Sequence, residues 1–206
     1  MSHFTRCAFV AVACNAILSA SAAAQVLPKR TFEQIDSLMA AHGADFDYML
    51  GDWDFRGVNP NGPFRGHWSV AKLGDGGRIL DEFRLLDDKD LTVFVSLTIR
   101  AYNAVRDRWD FVSIDDRGTG LDNVGTASRD GDTVRVLQTF GIGTPNSWTS
   151  RIRYYDIRPT SFRWIADRSY DGGKTWVKDY QRIEAHRVGP PRVMAPFWMP
   201  AAKSKP

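Results

Sequence analysis

The residue types that most often carry out chemistry in proteins are few in this chain and widely spaced. Beyond residue 24 the histidines are His42, His67 and His186, and none belongs to a spacing that is typical of metal ligands. No nucleophile triad is indicated either, so the sequence points to no catalytic residue, no metal site and no cofactor. His67 alternates with Ser69 and Ala71 on one face of a predicted strand. It becomes a candidate ligand contact if that face turns inward, and a solvent-facing histidine if it does not.

Charged and polar side chains inside predicted strands are better candidates for a binding site. Arg100 ends one strand, Arg153 lies within another and Tyr180 lies in the last. In a closed barrel half of the strand residues face inward, where a charge has to be paired because its desolvation is costly. Those charged or polar side chains that face inward therefore either form structural ion pairs or bind a polar group of a ligand. The sequence leaves both alternatives open.

The segment from Ser169 to Trp176 has the S-x-D-x-G-x-T-W form of the Asp box, a hairpin device of sialidases and related propellers. In this device the Asp side chain accepts hydrogen bonds from turn amides, and the Trp packs beneath the turn. A propeller repeats the motif once in each blade, whereas this chain contains it once. We therefore expect a structural turn here and not a sialidase.

The elements that must position these residues are mainly β-strands. Runs of alternating apolar residues are separated by turns such as Asn61-Gly62 and Asp130-Gly131-Asp132, which tolerate positive φ. The pattern predicts ten strands, near residues 51–58, 65–73, 78–86, 92–102, 107–115, 121–128, 133–141, 147–157, 161–169 and 174–187. Closing such a meander removes its open edges, so we expect an all-β, antiparallel barrel of eight to ten strands over residues 45–187.

The segments outside the predicted barrel differ from it in composition. Residues 1–24 carry a positive charge, an apolar run and small residues ending in Ala22-Ala23-Ala24, the order of a signal peptide that is cleaved before Gln25. This predicts a periplasmic or secreted protein. Residues 25–44 contain a helix over 31–42, and the proline-rich residues 188–206 predict a tail without regular structure that either frays or docks on the barrel.

The first and last predicted strands carry a Trp and an Arg that together form a second motif. Gly51-Asp52-Trp53 has the G-x-W form found in the first strand of lipocalins and other calycins. In those folds the Trp closes one end of the barrel and an Arg of the last strand packs across the indole. The resemblance implies that Trp53 and Arg182 form this closure, with Arg187 as the reserve candidate. A guanidinium over an indole gains cation–π attraction while its stem is buried against the ring.

A longer set of segments resembles a family of exported bacterial lipocalin-like proteins of unknown function. These segments are Phe46–Asp54, Gly76–Phe83, Tyr102-Asn103 followed by Arg108-Trp109, and Ser169–Trp176. The resemblance covers roughly residues 45–187. It implies a barrel for a small ligand, and it brings no catalytic residues to this chain.

These observations favour a protein that binds a small apolar or aromatic molecule in the barrel, oriented by Arg100, Arg153, Tyr180 or His67. Two alternatives remain open, namely an isomerase- or hydrolase-type enzyme that uses the same cavity and a filled barrel that acts as an interaction protein. The formal net charge of +3 falls to +2 without residues 1–24, which is too small to indicate nucleic acid as a partner. No later segment is apolar enough to span a membrane, and the oligomeric state is left open.

Overall fold

The structure is a computed structural model that describes residue 27 and residues 29–74, 76–118 and 120–194. The predicted signal peptide and residues 195–206 of the predicted tail lie outside these ranges. Within them, no helix has the length and apolarity needed to cross a membrane.

One α-helix precedes the barrel. Helix α1, Phe32–His42, begins at Thr31, whose hydroxyl accepts the backbone N–H of Gln34 while the Gln34 side chain accepts the Thr31 N–H. This capping box satisfies two backbone donors that a helix start otherwise leaves unpaired. The helix agrees with the prediction over 31–42, and its first residue, Phe32, is 85% exposed.

The described residues form ten long strands and one short one. The strands are β1 Gly51–Asn59, β2 Gly62–Lys72, β3 Arg78–Leu86, β4 Thr92–Asn103, β5 Arg108–Asp115, β6 Asn123–Asp130, β7 Thr133–Phe140, β8 Trp148–Arg158, β9 Ser161–Ser169, β10 Val177–Gly189 and β11 Arg192–Val193. Strands β1 to β10 pair antiparallel with their neighbours in the chain, and β1 also pairs with β10. The closed ten-stranded antiparallel barrel confirms the predicted fold class.

The start of β10 differs from the predicted strand over 174–187. The Asp box extends to Trp176, and its turn replaces the first residues of the predicted strand. The Asp171 carboxylate accepts the backbone N–H groups of Lys174 and Thr175 and the Thr175 hydroxyl, and Trp176 donates to the Gly173 carbonyl. These hydrogen bonds lower the pKa of Asp171, those from Thr175 most strongly. The segment is the structural turn that the sequence predicts.

One end of the barrel is closed by the Trp53 indole, but its partner is Arg187 and not Arg182. The Arg187 guanidinium carbon lies 4.1 Å from the centre of the Trp53 ring, and its N–H groups donate to the carbonyls of Leu50 and Tyr48. Arg182 is exposed and forms an ion pair with Asp179 instead. Register explains the correction, because Trp53 lies opposite Arg187 in the β1–β10 ladder.

The segment after β10 was predicted to lack regular structure, and this is wrong for its first residues. Strand β11 pairs parallel with Ala71 and Lys72 of β2. Since β1 pairs with β2 only as far as Val70, those two residues keep a free edge that β11 can occupy. Arg192 of β11 also donates to the Asp52 carboxylate, which lowers the pKa of Asp52.

A candidate ligand-binding cavity

A cavity of about 270 Å³ lies inside the barrel and is lined by inward-facing residues of the strands. Alternation along each strand selects these residues. On β4, for example, Phe94, Ser96, Thr98 and Arg100 line the cavity, whereas Ile99 between them is half exposed on the outer surface. Nine aromatic side chains contribute to the wall: Phe64, Trp68, Phe83, Phe94, Phe140, Trp148, Tyr154, Trp164 and Tyr180.

Small residues between these rings leave the space empty. Ser96, Thr98 and Ala166 are small residues of this kind that line the cavity. Thr126 and Ser128, small residues of β6, instead line an open depression on the outside of the barrel. Strand register decides between the two outcomes, because a shift of one residue exchanges the faces.

A buried ion pair lies on the cavity wall. The Arg100 Nε donates to one oxygen of the Asp81 carboxylate at 2.8 Å, and the Trp68 Nε1 donates to the other at 2.9 Å. Burial opposes the charge of Arg100, but the adjacent Asp81 carboxylate outweighs it, so the pKa of Arg100 is raised above its ordinary value. Arg100, predicted to orient a ligand, thus lines the cavity with its charge already neutralised.

Tyr154 adds a hydroxyl to the same wall. Burial raises the pKa of Tyr154 to about 12, partly opposed by the nearby Arg100 charge. The phenol therefore stays protonated at neutral pH. It contributes a neutral polar group next to the ion pair and adds no charge to the cavity.

A stack of flat side chains forms another part of the lining, contributed by β7, β8, β9 and β10. The rings of Phe140 and Trp148 are 3.8 Å apart and nearly parallel. The guanidinium carbon of Arg168 lies 3.7 Å from the centre of the Trp148 ring and 3.8 Å from that of Tyr180. We call Phe140, Trp148, Arg168 and Tyr180 the aromatic–arginine stack. Tyr180, one of the predicted ligand contacts, belongs to it.

Arg168 is a cavity residue that reasoning from the sequence did not select. The signal that marks it is the alternation of Trp164, Ala166 and Arg168 on β9, all three of which line the cavity. Among the described residues no carboxylate forms an ion pair with Arg168. Its Nε is buried without a hydrogen-bond partner, and its one hydrogen bond within the described residues is a long one of 3.4 Å to the Tyr170 hydroxyl.

Two predicted ligand contacts, His67 and Arg153, lie outside the cavity. The His67 side chain is on the outer surface of β2, where its Nδ1 is 2.6 Å from an oxygen of the Asp54 carboxylate. Arg153 is exposed on the outer surface of β8. In both cases the bulky neighbours, Trp68 beside His67 and Tyr154 beside Arg153, take the inward positions because burying a ring is more favourable than burying a charge.

The described part of the chain contains no group of three or more His, Cys, Asp or Glu side chains that could hold a metal ion. The cavity lining combines aromatic and aliphatic side chains with hydroxyls, amides, two arginines and two aspartates. Such a lining can bind and orient an organic molecule.

Comparisons with known proteins find no protein family that matches the chain and no curated protein that is similar in sequence. Among solved structures, Rv2717c from M. tuberculosis is similar over 70% of this chain and 95% of its own, with 14% identity and a TM-score of 0.47. The S-type phycobiliprotein lyase CPES from Guillardia theta is similar over 77% of this chain and 98% of its own, with 12% identity and a TM-score of 0.49. Likenesses this distant carry no residue role and no function to this chain. The closed antiparallel barrel itself fits the lipocalin-like fold that the sequence predicts.

Proposed function

We propose that this protein binds one small, largely aromatic or apolar molecule inside the barrel. The observation that carries the proposal is the cavity of about 270 Å³ with its aromatic wall. A dry cavity of about 150 Å³ accommodates benzene, and pockets for drug-sized ligands start near 300 Å³. A ligand of one to three fused or linked rings therefore suits the available space.

The chemistry of the lining favours binding over catalysis. An acid beside a histidine in a polar pocket would favour an enzyme. Here the acid Asp81 is paired with Arg100, and the described histidines, His42, His67 and His186, are absent from the cavity lining. The cavity between the inward-facing side chains likewise favours ligand binding over a filled barrel that serves only as an interaction protein.

A titration with Prodan, an uncharged naphthalene dye, tests the proposal. We expect saturable one-to-one binding, with a rise in dye fluorescence and a parallel change in tryptophan fluorescence. Enlarging Ala166, which faces the cavity, in the variant Ala166→Trp should weaken binding by at least about tenfold because the new indole fills the space. The matched control is Thr126→Trp, which places the same side chain on the outer face and should bind the dye as the wild type does.

Two results would contradict the proposal. If Prodan failed to bind the folded wild-type protein, the proposal of an aromatic ligand in the cavity would be refuted. Equal weakening by Ala166→Trp and Thr126→Trp would place the dye somewhere other than the cavity.

We also propose that the protein works outside the cytoplasm, as the signal-peptide pattern of residues 1–24 suggests. N-terminal sequencing of protein from the periplasmic or secreted fraction should then begin at Gln25 or within a few residues of it. Intact protein that begins at Met1 and is confined to the cytosol would overturn this part of the proposal.

A further inference from the structure

We infer that the ligand carries a carboxylate, and that Arg168 receives it. The inference rests on the proposed function, because it concerns the same cavity. It adds a chemical class to the ligand, namely a flat aromatic or apolar acid whose ring system lies among the aromatic walls and whose carboxylate meets the guanidinium in the aromatic–arginine stack.

The first argument is the balance of charge along the cavity wall. Four charged residues line it: Asp81, Arg100, Asp115 and Arg168. Asp81 and Arg100 neutralise each other in a buried pair. Asp115 ends β5, where its carboxylate accepts the backbone N–H of Arg117, and β5 lies four strands away in the sheet order from β9, which carries Arg168. Arg168 is thus the cavity cation without an ion-pair partner among the described residues.

The second argument is the way the guanidinium is held. The guanidinium carbon lies 3.7 Å from the centre of the Trp148 ring and 3.8 Å from that of the Tyr180 ring, so the two rings hold the group and partly shield it from water. Its Nε is buried with no hydrogen-bond partner, and its Nη1 has only the long contact of 3.4 Å to the Tyr170 hydroxyl among the described residues. A buried donor without an acceptor is unfavourable, and a planar carboxylate can accept two N–H groups of a guanidinium at once.

A third argument comes from a neighbouring arginine that shows the completed arrangement. Arg151 also stacks on an indole, with its guanidinium carbon 4.2 Å from the centre of the Trp176 ring. Its Nε and Nη2 donate to the Asp167 carboxylate at 3.1 and 2.7 Å. Arg168 follows Asp167 directly and faces the other side of β9. It has the aromatic stack without the carboxylate, and a ligand acid would supply that group.

The experiment compares two probes that share one ring system and differ in charge, naphthoate and the corresponding naphthamide substituted at the same ring position. Binding to the full mature protein is measured by isothermal titration calorimetry and by tryptophan fluorescence. We expect wild type to bind naphthoate at least about tenfold more tightly than naphthamide, the usual size of a charge-assisted hydrogen-bond effect. Arg168→Gln should abolish this preference and leave naphthamide affinity within about twofold.

Two further variants separate a binding role from a packing role. Arg168→Lys keeps the charge but loses the planar fork, so it should keep part of the preference for naphthoate. Arg153→Gln removes an exposed arginine outside the cavity and should behave as the wild type. Near-ultraviolet circular dichroism of each variant checks that the aromatic packing is retained.

The outcomes distinguish the inference from the proposed function. Equal wild-type affinity for the two probes would refute the inference while leaving the aromatic cavity in place. A preference for naphthoate that persists in Arg168→Gln would also refute it, because another group would then be holding the acid. Loss of naphthamide binding together with naphthoate binding in Arg168→Gln would assign Arg168 a packing role only. Failure of both probes and of Prodan to bind wild type would overturn the proposed function as well.

Discussion

The buried pair of Asp81 and Arg100 offers the sharpest test of the barrel interior. The side chains of Asp81 and Arg100 are 1% and 5% exposed, and the Asp81 carboxylate accepts N–H groups from Arg100 and Trp68. The perturbation is Asp81→Asn, which keeps the shape of the side chain but removes its charge. One of the two donors then faces an amide N–H₂ group, and Arg100 remains as an unpaired buried charge.

The expected loss of stability follows from these contacts. Each hydrogen bond to a charged group contributes about 1.5–3 kcal/mol, so two of them are worth about 3–6 kcal/mol. Breaking a buried ion pair by removing one partner typically costs about 3–5 kcal/mol. We therefore expect Asp81→Asn to lower the free energy of unfolding by about 3–5 kcal/mol. The double variant Asp81→Leu with Arg100→Met should recover most of this loss, because no buried charge is left unpaired.

Urea unfolding followed by tryptophan fluorescence and far-ultraviolet circular dichroism measures these losses, provided that both probes give the same transition. The matched control is Asp130→Asn. Asp130 pairs with Arg135 at 3.0 Å, but the side chains of Asp130 and Arg135 are 67% and 57% exposed. An exposed pair of this kind contributes about 0–1 kcal/mol. If Asp81→Asn destabilised the protein no more than Asp130→Asn, the reasoning from burial would be refuted.

Two further predictions concern the closed end of the barrel and a titrating carboxylate. Trp53→Ala should lower the free energy of unfolding by about 3–5 kcal/mol, and Arg187→Ala should lower it less. The two losses should not add in a double-mutant cycle of urea unfolding, with Arg182→Ala as the control. Additive losses would show that Trp53 and Arg187 do not interact. Burial opposes the charge of Asp167, but hydrogen bonds from the Asp179 backbone N–H and the Arg151 side chain outweigh it and lower the pKa of Asp167. The stability that Asp167 contributes is therefore complete above the ordinary Asp pKa and is lost as the pH falls below about 4. Asp167→Asn should flatten that part of the stability–pH profile, and an unchanged profile would contradict the assignment.

Much of the barrel follows from local sequence signals. Alternating apolar residues and glycine turns predict all ten long strands, and strand β9 occupies the predicted range 161–169. The helix also follows locally, because Thr31 and Gln34 supply its capping box. These signals are sufficient because each depends on residues within a few positions of one another.

The closure of the barrel end depends on contacts between strands that are distant in the chain. Arg182 and Arg187 both lie on β10, and an odd spacing of five places them on opposite faces of the strand. The buried Ile183 and Ala185 mark the inward face, and Arg187 shares it. This parity was readable in the sequence, but only the β1–β10 register brings Arg187 opposite Trp53.

What the sequence by itself determined is therefore the type, order and approximate extent of the elements, together with the pairing of neighbouring strands. Only the tertiary structure decided which face of each strand turns inward, and so that Arg168 lines the cavity while His67 and Arg153 remain outside. The physical reason is that local patterns show that side chains alternate between the two faces of a strand, whereas closure of the barrel decides which face turns inward. Closure buries the largest rings together, so the charged neighbours of those rings, such as His67 beside Trp68 and Arg153 beside Tyr154, face outward.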